Sequence, residues 1–317
     1  MATYYGTYGQ KVQYLASDPS DPQIGQVWYN STSATLKVRA VATLNSWASG
    51  GNLGTVRYNA GMTGTQTSAL IFGGGAAGNT PTTASESYNG TSWTGTPSLN
   101  TARQGIGAAG TQTSTITFGG TPTSATELWN GSSWTTSPLT LGTPRANLGG
   151  AGTQTAALGF GGDSSSTASE SFNGSSWTAT PSLNTGRGKL GNAGTQTAAL
   201  AFGGEAPPST AATESYNGTS WTSVNSMNTA RRVLGGCGTQ TLALGFGGYI
   251  GPDTTATELW NGTSWTTNPT GLALSRFGVK GAGTQTAGLA AGGTPPITNS
   301  TEEFSGTVAS TKTVTVS

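Results

Sequence analysis

Gly238-Thr-Gln-Thr-Leu-Ala-Leu-Gly-Phe-Gly-Gly248, followed after a loop by Ala256-Thr-Glu-Leu-Trp-Asn-Gly-Thr-Ser-Trp265, sets the pattern for the whole chain. The four residues Gly-Thr-Gln-Thr occur six times, beginning at Gly64, Gly110, Gly152, Gly194, Gly238 and Gly283, at intervals of 46, 42, 42, 44 and 45 residues. Each copy leads into a short apolar-alternating run that ends in a glycine pair, from Gly73-Gly74 to Gly292-Gly293. A variable loop follows, then Glu, an aromatic, Asn-Gly and Trp, and a second variable loop ends in Arg.

Each unit reads as four short strands: a before GTQT, b into Gly-Gly, c carrying the Glu and aromatic, and d carrying the Trp. GTQT and Asn-Gly-Thr/Ser are turn sequences, because Gly and Asn-Gly accept the positive φ that tight hairpins demand. Period-2 apolar residues such as Leu200 and Phe202 suit strands buried between neighbouring sheets. A four-stranded unit of this size cannot cover both its faces, so the units must stack, and a closed ring covers every face. The fold class expected is all-β, a six-bladed β-propeller. The sixth unit has Ala309 where its Trp should stand, while Trp47 lies ten residues before Arg57, as Trp93 does before Arg103. The segment around Trp47 is therefore expected to supply strand d of the sixth blade.

Composition narrows the function. The 317 residues carry 13 basic and 12 acidic side chains, a net charge of +1, which gives no basic field for nucleic acid or a membrane surface. The 51 glycines could signal disorder, but nine tryptophans at regular places argue for a packed fold. There is no histidine, so the commonest general base and metal ligand is missing; no metal and no cofactor are expected. A single cysteine, Cys237, leaves no internal disulfide. The sequence from Met1 has no basic-then-apolar leader, and no run approaches a membrane span.

The glycine pair, the strand-c aromatic (Tyr88, Trp129, Phe172, Tyr216, Trp260, Phe304) and the Trp after it resemble the kelch repeat over residues 57–306. That family hosts many functions, so the resemblance implies a fold and little more. Two enzymatic relatives do not match. Kelch-type copper oxidases use His ligands, and the Asp-box of sialidase propellers is replaced here by Ser87-Tyr-Asn-Gly-Thr-Ser-Trp93, with Asn for Asp and a shorter spacing. Acids outside the repeated Glu show no pairing for glycoside hydrolysis. A non-enzymatic protein is expected.

Residues 1–40 do not follow the repeat. Gly25–Asn30 and Thr35–Arg39 read as a β-hairpin, preceded by a loop at Asp18-Pro-Ser-Asp-Pro22. The "GQVWYN…LKV" segment resembles one at the front of tailed-phage structural proteins, and the whole chain is similar to kelch-like proteins of marine and cyanobacterial phages. The resemblance implies a tail-fibre or decoration protein on the virion surface. Residues 1–40 would dock on other virion proteins, and 41–317 would form the propeller, with a host-surface glycan or receptor as its partner. A cellular lectin-like adhesin is the alternative.

Six arginines (Arg57, Arg103, Arg145, Arg187, Arg231, Arg276) and six glutamates (Glu86, Glu127, Glu170, Glu214, Glu258, Glu302) recur one per unit. Repeated Arg–Glu pairs tying the blades together account for them, and an anion site at the pore mouth, with Arg103 and Arg187 among its ligands, is the functional alternative. The strand-d Trp series is expected to pack blade on blade. Trp28 is as suited to anchoring a partner as to packing inside its module. The five Asn-Gly-Thr/Ser triplets match a glycosylation sequon but are accounted for as turns, and Cys237, standing where other units have Ala, as a small buried residue. Because the a–b and c–d turns barely vary, recognition is expected on the opposite face. It is built from b–c loops such as Tyr249–Thr255 and d–a loops such as Asn268–Ser275, with Tyr249, Ile250 and Asp253 as the leading ligand contacts.

Overall fold

The computed structural model describes residues 12–23, 25–42, 45–120, 125–163, 165–306 and 308–314. They form seven four-stranded sheets in two compact units, one of residues 46–305 and one of the described residues up to Asn45 together with those from Gly306 onward.

The larger unit holds six of the sheets, and within each the strands run antiparallel in the order a-b-c-d. In the first sheet these are Gly61–Thr65, Ser68–Phe72, Ser85–Tyr88 and Trp93–Thr96. In the sixth, Lys280–Gly283, Ala287–Ala291 and Thr301–Ser305 are completed by Ser46–Ser49, with Trp47 opposite Phe304. The strand near Trp47 thus closes the last sheet, as its orphaned position in the repeat required. Strands a of successive sheets pack side by side, the sixth against the first, an arrangement consistent with a β-propeller.

The turns form for the expected reasons. Gly64 sits at φ +107°, and a Cβ there would come within 2.2 Å of the Ser68 carbonyl oxygen, so only glycine turns the chain here. In the c–d turns the Asn side chain replaces a backbone acceptor: Asn89 Oδ1 takes the amides of Thr91 and Ser92 at 3.0 and 2.9 Å.

Three sets of contacts repeat once per sheet and hold the ring. The first is the Gln of GTQT, whose amide donates to two strand carbonyls of the preceding sheet. Gln154 Nε2 reaches the carbonyls of Thr115 and Trp129 at 3.0 and 2.6 Å. Gln66 does the same to Gly288 and Phe304 and links the first sheet to the sixth. The second is the strand-d Trp, which in every sheet but the first packs on the strand-b Phe of the preceding sheet, as Trp134 does on Phe72 with ring centroids 4.8 Å apart; the sixth sheet offers Trp93 no such Phe.

The third is a closed ring of backbone hydrogen bonds just before strand a. Asn59, Gly105, Asn147, Lys189, Val233 and Gly278 all have φ between +50° and +67°. Each donates its N–H to the carbonyl of its neighbour at 2.6–2.8 Å, and Asn59 donates to Gly278 to complete the cycle. Val233 is the one β-branched member, in a conformation that β-branched residues rarely adopt.

In the smaller unit the expected hairpin is present: Val27–Asn30 pairs antiparallel with Thr35–Ala42. Two further strands flank it, Gln13–Leu15 parallel to the first and Val308–Val314 antiparallel to the second. Ala309 belongs to Val308–Val314, paired with Thr35–Ala42, and the tail from Gly306, expected in the propeller, groups with the smaller unit. The two compact units divide after Asn45. Trp28 is fully buried, its indole N–H donating to Asp18 Oδ1 at 3.0 Å, so it packs inside the module and does not face a partner. Asp18 also accepts from Asn30 at 2.7 Å and Lys37 at 2.6 Å. These hydrogen bonds, Asn30's first, then those of Lys37 and Trp28, hold its carboxyl at about 2 against an ordinary 3.8.

Candidate binding face

The strand order puts the a–b and c–d turns at one end of the larger unit and the b–c and d–a loops at the other. The turn end repeats the same side chains sheet after sheet. The loop end carries the variation, and its side chains divide into a buried tier and an exposed tier.

The buried tier is the Arg–Glu series. Arg103 and Arg187 are both wholly buried, Arg103 paired with Glu127 at 2.5 Å and Arg187 with Glu214 at 3.0 Å. Burial lowers the pKa of both guanidiniums, and the charge of each glutamate opposes the shift. Each Glu is further fixed by amides of its d–a loop, as Glu127 is by Asn100 N at 2.8 Å and Thr101 N at 3.3 Å. Arg103 also donates to the carbonyls of Gly119 and Ala125. These pairs tie neighbouring sheets together, as expected: the Arg103 backbone is held by the first sheet, its N–H donating to the Thr82 carbonyl and its own carbonyl accepting from Gly74 N, while its side chain pairs with Glu127 of the second. They do not reach solvent. Arg103 and Arg187, two of the expected ligand contacts, are thus placed beneath the surface of the loop face, with no exposed guanidinium.

The exposed tier contains the other expected contacts. Tyr249 forms bridges with Arg232 and Asp253 at the root of its loop. The Arg232 guanidinium lies over its ring at 5.1 Å, and Phe277 meets it edge-on at 5.7 Å and 79°. Ile250 is 45% exposed at the loop tip. Asp253 accepts from Ser275 Oγ at 2.7 Å, so its carboxylate holds the neighbouring d–a loop. Tyr249 and Ile250 thus share a surface, and Asp253 fixes the shape of its edge.

Three residues that the repeat pattern did not single out extend this surface. Glu205 accepts from Arg232 at 2.9 Å and Lys189 at 2.5 Å, forming a half-buried network that runs from the fourth sheet to Tyr249 and Phe277. Its carboxyl is lowered, first by the Lys189 hydrogen bond and then by the charges of Lys189 and Arg232. Beside it, Gly162, Asp163, Ser165, Gly188, Glu205 and Pro207 line a cleft of about 90 Å³. The available signal was variation: the residue after the ring arginine is Tyr58, Gln104, Ala146, Gly188, Arg232 or Phe277, unlike its uniform neighbour.

Cys237 is buried and its thiol is pushed up to about 12 by desolvation, which removes thiolate chemistry near neutral pH. Among the described residues there is no group of three or more His, Cys, Asp or Glu that could hold a metal ion. No protein-family model matches the chain, and no curated protein matches it.

Proposed function

We propose that this protein is a non-enzymatic component of a tailed-phage particle, a six-bladed kelch-like propeller that presents its loop face to a surface glycan or receptor. The observation that carries the reading is the contrast between the two ends of the propeller. One repeats the same turns; the other gathers Tyr249, Phe277, Arg232, Glu205 and the exposed Ile250 on a scaffold fixed by buried Arg–Glu pairs. A flat aromatic ring beside a guanidinium and a carboxylate suits a sugar, which offers an apolar ring face and hydroxyls that both donate and accept. Variable loops on a rigid scaffold are where recognition usually lies. The smaller unit, with the segment that resembles the front of phage structural proteins, serves as the attachment to other virion proteins.

The test is binding of the purified full chain to a glycan array and to host cells, with Tyr249→Ala and Arg232→Ala alongside. Both variants are expected to keep the fold and lose binding. Undiminished binding by both would move recognition off this face. Binding by a chain encoded beside export genes, with none in particles, would favour the cellular adhesin.

A further inference from the structure

The sixth sheet departs from the other five at two positions that face each other. In the first sheet Gly61 stands opposite Phe72, and a Cβ on Gly61 would lie 2.3 Å from the phenyl ring. The next four sheets repeat this glycine–phenylalanine pair. In the sixth the pair is Lys280 opposite Ala291. The missing phenyl ring gives the lysine stem room that no other sheet offers. A lysine here requires the ring to be absent, since even a Cβ opposite the phenylalanine of another sheet would clash with it.

Lys280 lines the axis of the larger unit. Beneath the hydrogen-bonded ring at Asn59 and Gly278 lies a space of about 10 Å³, followed by one of about 40 Å³, and Lys280 borders both. The channel then widens to about 110 Å³ between the GTQT turns. Room for one water is roughly 10–15 Å³, so the middle space holds about three water-sized atoms. Strand a is the edge strand of every sheet, so alternate backbone N–H and C=O groups have no ladder partner and face the axis. The Gly150 carbonyl, for example, is taken by Asn192 Nδ2 of the next sheet at 2.6 Å. The other titratable groups bordering these spaces are Lys189, which is held by Glu205, and Cys237, which is neutral. The Lys280 ammonium therefore has no counter-charge in the channel.

We propose that the channel is an anion site, in which a halide or small carboxylate of no more than about three non-hydrogen atoms sits against the Lys280 ammonium and the inward N–H groups of the a strands. A cation half-withdrawn from water in so narrow a channel and without a counter-charge is unfavourable, and a small anion restores both its charge balance and its hydrogen bonds. Burial alone lowers the amine from 10.5 to about 8. Only the protonated amine attracts an anion. Binding therefore holds at neutral pH and weakens as pH rises through and above 8, while a bound anion pulls the amine's pKa back up.

Crystals of the full chain soaked in sodium bromide test this by anomalous diffraction, with melting in sodium formate at pH 7 and 9.5 as the solution measurement. A bromide peak beside Lys280 that is absent in Lys280→Met is expected, together with formate stabilisation of the wild type at pH 7 only. If Lys280→Met fails to fold, Lys280→Gly with Ala291→Phe rebuilds the pair of the other five sheets and serves as the lysine-free control. No channel peak in the wild type, or an equal peak in the lysine-free protein, overturns the proposal.

Discussion

Replacing Arg103 with Met removes a charge that the fold has sealed in, while keeping a side chain of similar length. Arg103 and Glu127 are both wholly buried and 2.5 Å apart. The substitution leaves the Glu127 carboxylate with the Asn100 and Thr101 amides and no cation. It also withdraws the guanidinium donor from the Gly119 carbonyl. Breaking a buried pair on one side costs about 3–5 kcal/mol, because the remaining charge is uncompensated. Adding Glu127→Gln removes that charge and keeps an oxygen to accept the two amides, so the double variant is expected to recover much of the loss. Urea unfolding followed by tryptophan fluorescence, extrapolated linearly to water, gives the three values. An Arg103→Met loss below about 1 kcal/mol, or a double variant that falls to the sum of two single losses, would refute the buried-pair reasoning.

Gln240→Ala removes the two amide bonds to the Ala199 and Tyr216 carbonyls and should lower stability by about 1–3 kcal/mol in the same assay, with glycan binding unchanged. Trp47→Ala empties the contact with Phe246 and Phe304 that completes the sixth sheet, and a loss of about 3–5 kcal/mol is expected by urea unfolding. Val233→Asn relieves a β-branched residue at φ +55°, where Asn is the native choice at Asn59 and Asn147, and a gain of about 1 kcal/mol is expected. Asp18 has a folded pKa depressed to about 2, so its stabilisation is present above 3.8 and disappears as pH falls from there to 2. The Trp28 indole resonance should shift across that window in the wild type and stay flat in Asp18→Asn.

The strand count, the turns and the ring closure at Trp47 were legible because each is written as a repeated residue or as its displacement. Trp47 stood the right distance before Arg57, and one d strand was missing at the other end. The Gln of GTQT was equally visible, but its partners are backbone carbonyls of another sheet, which carry no sequence signature. The ring through Asn59 and Gly278 is likewise a backbone device, hinted at only by Asn or Gly at four of the six copies of one position. The Arg–Glu pairing between neighbouring sheets was readable from its strict recurrence, but the backbone bonds that hold each arginine on the preceding sheet carry no sequence signature. The tail after Gly306 was not legible, because its pairing partner is the edge of Thr35–Ala42, outside the repeat. On the loop face, Tyr249 and Ile250 stood out by type. Lys189, Glu205 and Arg232 gain meaning only once the fourth and fifth sheets bring them together.

A cryo-electron-microscopy map of purified particles carrying this chain tests the functional account most directly. The proposed orientation places the sheet of Gln13–Leu15, Val27–Asn30, Thr35–Ala42 and Val308–Val314 against other virion proteins, with Tyr249, Ile250 and Phe277 facing outward into solvent. A map with the Tyr249–Thr255 loop buried against virion neighbours and that sheet free, or particles that lack the chain, would contradict it.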